Sequence, residues 1–141
     1  MTMLPVAIRE ESALDETETQ QLYAGLHTAD PATQPRRFAS LTLALRDEEQ
    51  RLVGGLLAST VWNWLAVDVL WVDPALRGRG FGKRLMQTAE QIAITRGCTH
   101  ARLDTFDFQA RAFYERLGYA VYAQLDDFPV GHTQFHLRKQ L

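Results

Sequence analysis

The chain has 141 residues, a mass of 16.0 kDa and a formal net charge of −2 at pH 7. This length predicts a single domain over residues 1–141 with a buried core, and 46% hydrophobic residues argue against disorder. No apolar run reaches the roughly 18 to 20 residues of a membrane helix, so a membrane partner is not expected. The start of the chain has no signal-peptide pattern, and the only cysteine, Cys98, excludes an internal disulfide. Together these features predict a cytoplasmic protein.

The charge is distributed unevenly along the chain. Up to Gln50 there are nine acidic and four basic residues, whereas from Arg51 onward there are eleven basic and eight acidic ones. A nucleic-acid-binding protein usually concentrates basic residues on one face, so this pattern argues against nucleic acid as a partner. It fits a protein that holds an anionic cofactor in one place and a cationic substrate in another. Solvated charged faces that bind no partner explain the pattern equally well.

The first half of the chain predicts one strand, one helix and then three strands. The first strand is expected over residues 5–9, followed by a helix over 13–26 whose first turn is acidic, as the helix dipole favours. Two prolines mark a loop over 28–35. Alternating and apolar runs then predict strands over 38–45, 52–62 and 65–72, with a hairpin turn at 47–50.

The second half changes to a helical period and then returns to strands. Leu85, Met86, Ala89, Ile92 and Ala93 recur at helical spacing, and Gly97 stands where a helix C-terminus is expected. A strand over 100–106, a short helix over 109–117 and strands over 119–125 and 133–137 follow. The order predicts an α/β domain with a mixed sheet of about seven strands flanked by three to four helices.

The segment with the clearest chemistry follows the strand over 65–72 and opens the central helix. Three glycines alternate with other residues, so that backbone N–H groups can converge on one point without interference from Cβ atoms. The N-terminus of the helix adds unsatisfied donors and the positive end of its dipole. Such a nest suits a pyrophosphate. Its residues are Arg77, Gly78, Arg79, Gly80, Phe81, Gly82 and Lys83, with Arg84 beside them.

The glycine-rich segment has three other interpretations. A dinucleotide-binding turn needs Gly-x-Gly-x-x-Gly early in a strand–helix–strand unit, whereas the spacing here is Gly-x-Gly-x-Gly after several strands. A P-loop needs Ser or Thr after Gly-Lys, and here Arg84 follows Lys83. A glycine-rich turn with solvated arginines remains open if the motif is taken alone.

Two motifs resemble those of the GNAT superfamily of acyl-CoA-dependent N-acetyltransferases. Arg77, Gly80 and Gly82 match its acyl-CoA-binding pattern Arg/Gln-x-x-Gly-x-Gly/Ala. The run from Ala110 to Tyr119 matches a second pattern, Ala-x-x-Phe/Leu-Tyr-x-x-x-Gly-Phe/Tyr. Both occur in the family's order and separation, and the order of predicted elements also matches. The resemblance therefore covers nearly the whole chain.

The resemblance implies where acetyl-CoA binds. In the family's fold the strands over 65–72 and 100–106, its fourth and fifth, splay apart and open a wedge for the pantetheine arm. Backbone groups beside Trp71 on the first of these strands, those of Leu70 and Val72, would pair with the pantetheine amides, and N–H groups from Arg77 to Lys83 would hold the pyrophosphate. Phe113 belongs to the second motif and is expected at the cofactor. Asp107 stands where the family often has asparagine, and an ionised aspartate can only accept hydrogen bonds.

The resemblance also implies an N-acetyltransferase, in which an amine attacks the thioester directly. Tyr114 is the residue that it places to protonate the leaving sulfur. For the general base, Asp68 lies two residues before Leu70, where related enzymes often carry an acidic residue; a merely structural carboxylate is as good an interpretation. Asp104, Asp107 and His132 stay open as alternatives. No Cys/His spacing indicates a metal site.

The charge pattern of the chain bears on the kind of acceptor. Acidic residues near the first helix would suit a cationic primary amine on a small molecule, a protein side chain or a protein N-terminus. Family members often pair as dimers, so the resemblance allows a homodimer. A competing class is a binding module of the same fold that holds acyl-CoA without turnover, as a sensor or scaffold. Retention of Tyr114 favours the enzyme.

Overall fold

The computed structural model describes residues 5–141, which divide into two compact units, residues 5–35 and 36–141. The first unit contains one helix, α1 (Glu16–His27). Asp15 caps its N-terminus, because its carboxylate accepts the Glu18 N–H at 2.7 Å and Glu18 accepts the Asp15 N–H at 3.4 Å. Whether the two units act as a single domain stays a prediction.

The strand that the sequence predicts over residues 5–9 is absent, so that prediction was wrong. This segment has no regular secondary structure, and its two largest apolar side chains, Val6 and Ile8, are 91% and 103% exposed. Alternating apolar residues favour an extended chain, but a strand also needs a neighbour to satisfy its backbone N–H and C=O groups. Residues 5–9 have no such neighbour, and the sheet has six strands, not about seven.

The second unit is built on a single mixed sheet with the order β1-β2-β3-β4-β6-β5. All neighbouring strands pair antiparallel except β3 and β4, which pair parallel and are connected by a helical crossover. The predicted α/β class with a mixed sheet is confirmed. The strands are β1 (Ala39–Arg46), β2 (Leu52–Val61), β3 (Trp64–Val72), β4 (His100–Phe106), β5 (Ala120–Asp126) and β6 (Thr133–Gln140).

The crossover helix, α2 (Phe81–Thr95), packs on one face of this sheet, called here the helix face. Its apolar side chains recur at helical spacing and join the core with alternate residues of the central strands. Arg96 fixes its far end, since the guanidinium donates to the Thr60 hydroxyl at 3.2 Å and to the Ser40 carbonyl at 3.2 Å. The fully buried core residues include Leu56, Leu65, Met86, Ala89, Ala93, Ala101 and Leu137.

A buried polar cluster joins α2 to the last two strands. The Glu90 carboxylate, 7% exposed, accepts the Tyr119 hydroxyl at 2.7 Å and the Lys139 ammonium at 3.0 Å. Burial and the neighbouring carboxylate both raise the pKa of Tyr119 far above its usual value. The hydroxyl therefore stays protonated and keeps donating to Glu90, which holds the helix in register with the sheet. No helix within residues 5–141 is long and apolar enough to cross a membrane.

Candidate active site

A wedge opens in the middle of the sheet, between its two parallel strands. The pairing of β3 with β4 begins at Trp64 and His100 and ends at Val67 and Leu103. Both strands continue beyond that point, to Val72 and Phe106, without pairing with each other. Over the same residues β4 stays paired with β6 along its other edge. The predicted splaying of these two strands is therefore present in the structure.

A bulge in β3 marks the point where the strands separate. Val67 pairs with Ala58 and Val69 pairs with Leu57, which leaves Asp68 as the extra residue. A bulge of this kind bends the strand and redirects its side chains. Asp68 is exposed, and its carboxylate makes no hydrogen bond within residues 5–141.

The backbone of β3 beyond the bulge presents hydrogen-bonding groups to the wedge. The Asp73 N–H donates to the Val53 carbonyl at 2.8 Å, so the antiparallel alternation assigns the β2-facing bonds to Trp71 and Val69. The N–H and C=O groups of Leu70 and Val72 consequently point away from β2, toward the wedge. The Val72 carbonyl already accepts the Arg77 guanidinium at 3.0 Å. The Leu70 groups and the Val72 N–H remain for a ligand.

A nest of backbone donors lies between β3 and α2. Gly78 and Gly80 have φ angles of +76° and +82°, which side chains with a Cβ rarely adopt. The first helical bond of α2 runs from the Arg84 N–H to the Gly80 carbonyl, so the three N–H groups before it lack helical acceptors. A Cβ added at Gly80 would meet no atom within 4 Å. The space beside the Gly80 Cα is therefore open.

The third glycine of the nest brings the second motif beside it. An added Cβ at Gly82 would lie 3.3 Å from the Phe113 ring, which packs on the core from helix α3 (Arg111–Arg116). Glycine at this position therefore lets α3 approach the N-terminus of α2. The two sequence motifs meet in space, on the helix face of the sheet.

Tyr114 follows Phe113 on α3 and is half-buried against the same core. Its ring meets Phe113 edge to face at 5.1 Å and Tyr119 at 6.2 Å. Its hydroxyl makes no hydrogen bond within residues 5–141, where no fully buried side-chain oxygen lacks a partner, so it reaches solvent. Burial raises the pKa of Tyr114 above 10, so the phenol is protonated at neutral pH and can act as an acid.

The end of β4 carries the remaining predicted residues. Asp107 accepts the His132 imidazole at 2.9 Å and the Thr133 N–H at 3.1 Å. Burial acts to raise the pKa of Asp107, but the hydrogen bonds from His132 and Thr133 outweigh it and hold this pKa below its usual range. The carboxylate is therefore ionised and fastens the β5–β6 loop to β4. His132 also touches the Phe108 ring edge to face, at 5.1 Å.

Comparison with known proteins identifies the family. Residues 6–119 match the model described as the acetyltransferase (GNAT) family. The chain belongs to the GNAT acetyltransferase family. It is 45% identical over 95 residues to blasticidin-S acetyltransferase from Streptomyces morookaense, an alignment that covers 67% of this chain and 70% of that protein. It is 34% identical over 100 residues to an acetyltransferase from Agrobacterium fabrum, covering 71% and 73%.

The fold agrees with this family assignment. The crystal structure of an acetyltransferase from Bacillus cereus superposes with a TM-score of 0.82 at 28% identity, covering 94% of this chain and 98% of that one. The chain is accordingly an acyl-CoA-dependent acetyltransferase with acetyl-CoA as its co-substrate. The open nest and the unpaired β3 backbone fit the pyrophosphate and the pantetheine arm of that molecule.

The structure gives the positions of two residues, Trp71 and His136, that the motifs alone do not determine. Trp71 pairs with Gly55 of β2, and its side chain, 44% exposed, points away from the core face occupied by Leu70 and Val72. His136, which no motif singled out, lies 2.7 Å from Asp104 across the β4–β6 pair. Strand alternation places His136 on one face of β6, but only the β4–β6 register shows which carboxylate it meets.

Proposed function

We propose that this GNAT protein transfers the acetyl group of acetyl-CoA to a primary amine of a small molecule, by direct attack of the amine on the thioester. The observation that carries the proposal is the wedge beyond Val67 and Leu103, with the nest at one end and Tyr114 on the same face. This arrangement gives the cofactor one approach, from the helix face, and leaves the opposite face of the sheet to the acceptor.

In this proposal the cofactor is held mostly by backbone. Leu70 donates and accepts toward the pantetheine amides and Val72 donates through its N–H, as an added strand would, with Trp71 between them on the opposite face. The nest from Arg77 to Lys83 holds the pyrophosphate through its free N–H groups and the helix dipole. Gly78, Gly80 and Gly82 place no side chain in the way of the cofactor, and Arg79 and Phe81 lie on either side of it. The Phe113 ring lies beneath the nest. Asp107 lies at the edge of the site and can accept a hydrogen bond.

The chemistry needs a neutral amine, a place for negative charge and a proton for sulfur. Acetyl-CoA supplies a thioester whose thiol, with a pKa of about 8.5, leaves readily. A β3 backbone N–H, from Leu70 or Val72, stabilises the charge that develops on the carbonyl oxygen. Tyr114 donates its phenolic proton to the departing sulfur. Asp68, the exposed carboxylate at the bulge in β3, is a candidate for the base.

A cationic small molecule is the acceptor class that we propose. The similarity to a protein named blasticidin-S acetyltransferase supports a small-molecule acceptor. The excess of acidic residues before Gln50 supports a positively charged one. A lysine side chain or a protein N-terminus is the alternative acceptor. A cytoplasmic location and a homodimer stay predictions.

The test is release of free CoA thiol from acetyl-CoA by the purified protein. The panel of acceptors contains blasticidin S, spermidine, kanamycin, a lysine-containing peptide and glutamate, with a reaction lacking amine as the control. We expect thiol release above the control with at least one of the cationic small molecules. Calorimetric binding of acetyl-CoA without thiol release on any amine would indicate a binding module instead. Absence of acetyl-CoA binding would contradict the assignment of the wedge.

A further inference from the structure

His136 and Asp104 form an imidazole–carboxylate pair at the point where β3 and β4 separate. Its Nδ1 lies 2.7 Å from Asp104 Oδ1, and the two residues are direct register partners on β6 and β4. The His136 side chain is 25% exposed and the Asp104 side chain 42%. The pair is therefore fixed by the sheet and still accessible to a substrate.

The pairing determines which nitrogen of the neutral ring is free. Asp104 Oδ1, 2.7 Å from Nδ1, is a carboxylate oxygen with no proton to give, so its negative charge favours the neutral His136 ring that carries its proton on Nδ1. Nε2 is then an unprotonated acceptor, which is the form that a general base requires. The ring also meets Tyr122 on β5, with ring centroids 6.2 Å apart. The β4–β6 register places two cationic residues on the same face, Arg138 and its partner Arg102, and the Arg138 guanidinium lies 5.2 Å over the Tyr122 ring.

The position of the pair follows from strand register. Asp104 is the first residue of β4 after the last β3–β4 pair, which ends at Leu103, so it stands where the wedge begins. Leu103 and Leu137 are buried on the helix face, and the alternation of side chains along a strand turns Asp104 and His136 to the opposite face. The nest and Tyr114 lie on the helix face. The pair is therefore on the acceptor side of the thioester.

We infer that Nε2 of His136 is the general base for the acceptor amine, with Asp104 as its positioning residue. The amine nitrogen forms a bond to the acetyl carbon, the carbon–sulfur bond breaks with its electron pair going to sulfur, and the amine proton passes to Nε2. The sulfur takes its proton from Tyr114 under the proposed function, on which this inference rests. The acceptor arrives as an ammonium ion, so its nitrogen loses a second proton to solvent as the amide forms. His136 then releases its proton to solvent, and the Tyr114 phenolate takes a proton back from solvent.

The chemistry of the groups favours imidazole over the nearby carboxylates. Free imidazole has a reference pKa of about 6.5 and free carboxylates of about 3.9, so imidazole is the better proton acceptor at neutral pH. Asp68 lies at the bulge in β3, the other strand that borders the wedge, and its negative charge there attracts an ammonium group. His132 belongs to the β5–β6 loop and is held there by Asp107 and Phe108.

The decisive variant is His136→Asn, which keeps a donor toward Asp104 and removes Nε2. With the panel amine that the wild-type protein acetylates fastest, we expect kcat to fall about a hundredfold at pH 7. The loss should shrink to less than tenfold at pH 9.5, where about a tenth of an alkylamine is already neutral. Acetyl-CoA affinity by calorimetry and the melting temperature should stay close to wild type.

The matched control is His100→Asn. His100 lies on the same face of β4, bonds through Nδ1 to the Thr99 hydroxyl at 2.9 Å and stacks on Trp64, at the far end of the strand. Its variant should keep wild-type kcat and pH profile. Asp104→Asn should reproduce the His136→Asn profile, because an amide donor facing Nδ1 forces the ring proton onto Nε2.

Each outcome decides the inference. If His136→Asn keeps wild-type kcat, or loses the same factor at pH 7 and pH 9.5, His136 is not the base. Should His136→Asn fail to fold, Asp104→Asn and its pH profile decide alone. If His132→Asn loses kcat at pH 7 and regains it at high pH, while His136→Asn does not, the general base is His132 in the β5–β6 loop. Turnover on none of the panel amines overturns this inference together with the proposed function, whereas turnover that the His136 variant leaves intact overturns the inference alone.

Discussion

The two faces of the wedge are built from different parts of the chain. On the helix face the ligand-facing groups are mostly backbone: the unpaired N–H and C=O groups of β3 and the nest before Arg84. On the opposite face we propose that they are side chains, Asp104 on β4 and His136 on β6, with Asp68 at the bulge in β3 beside them. A backbone site does not depend on the identity of the side chains around it. A side-chain site can change with the acceptor while the fold stays constant.

The largest effect on the helix face is expected from Tyr114→Phe, which keeps the ring and removes the hydroxyl. Turnover should fall about a hundredfold, because a thiolate needs only modest help from an acid. Since burial raises the pKa of Tyr114, its acid form should persist to a higher pH than that of an ordinary tyrosine, and the alkaline loss of wild-type rate should be displaced upward accordingly. Acetyl-CoA affinity and melting temperature should barely move.

The neighbouring tyrosine separates catalysis from stability. Tyr119→Phe removes the hydroxyl that donates to buried Glu90, which should lower the free energy of unfolding by about 2 kcal/mol. Turnover per folded molecule should be unchanged. If Tyr114→Phe has full turnover and only a lower melting temperature, Tyr114 is a packing residue and water or another group protonates the sulfur.

The nest should respond next. Gly80→Val places a β-branched residue at a φ of +82°, in front of the donors that we assign to the pyrophosphate. Acetyl-CoA affinity should fall at least tenfold, which corresponds to about 1.4 kcal/mol. Gly97→Val is the control, because Gly97 also has a positive φ, +91°, and an open Cβ position, but lies after the end of α2. Equal affinities in the two folded variants would place the pyrophosphate elsewhere.

The smallest effect should come from the long-range charge of the acidic excess before Gln50. Cationic primary amines are expected to be better acceptors than anionic amino acids, and kcat/KM for a cationic amine should fall about threefold between 50 and 500 mM salt. Attraction between exposed charges is screened over this range. Fastest turnover on glutamate, or a rate that rises with salt, would show that the acidic residues do not select the acceptor.

The contrast between the faces also explains what the sequence could reveal. The nest is a run of adjacent residues, so the spacing of Gly78, Gly80 and Gly82 was enough to predict a helix N-terminus with free donors. The second motif indicated the position of α3 in the sequence. The predicted splaying depended on the family resemblance. The bulge at Asp68 and the Asp104–His136 pair depend on strand register, which local periodicity does not determine.

The errors have the same origin. Residues 5–9 have a strand-like composition, but no neighbouring strand pairs with them, and composition cannot reveal a missing partner. The motif includes Arg77 but does not show that its guanidinium bonds to the Val72 carbonyl and helps to shape the turn. In both cases the outcome depends on whether a backbone group finds a partner, which only the folded chain shows.

The most direct test of the account is a crystal structure of this protein with acetyl-CoA. We predict the pyrophosphate within hydrogen-bonding distance of the N–H groups from Gly80 to Lys83 and the pantetheine amides against Leu70 and Val72. The acetyl group should lie where β3 and β4 separate, between Tyr114 on one face and His136 on the other. Acetyl-CoA bound outside the wedge, or inside it with the pyrophosphate away from the nest, would contradict the account.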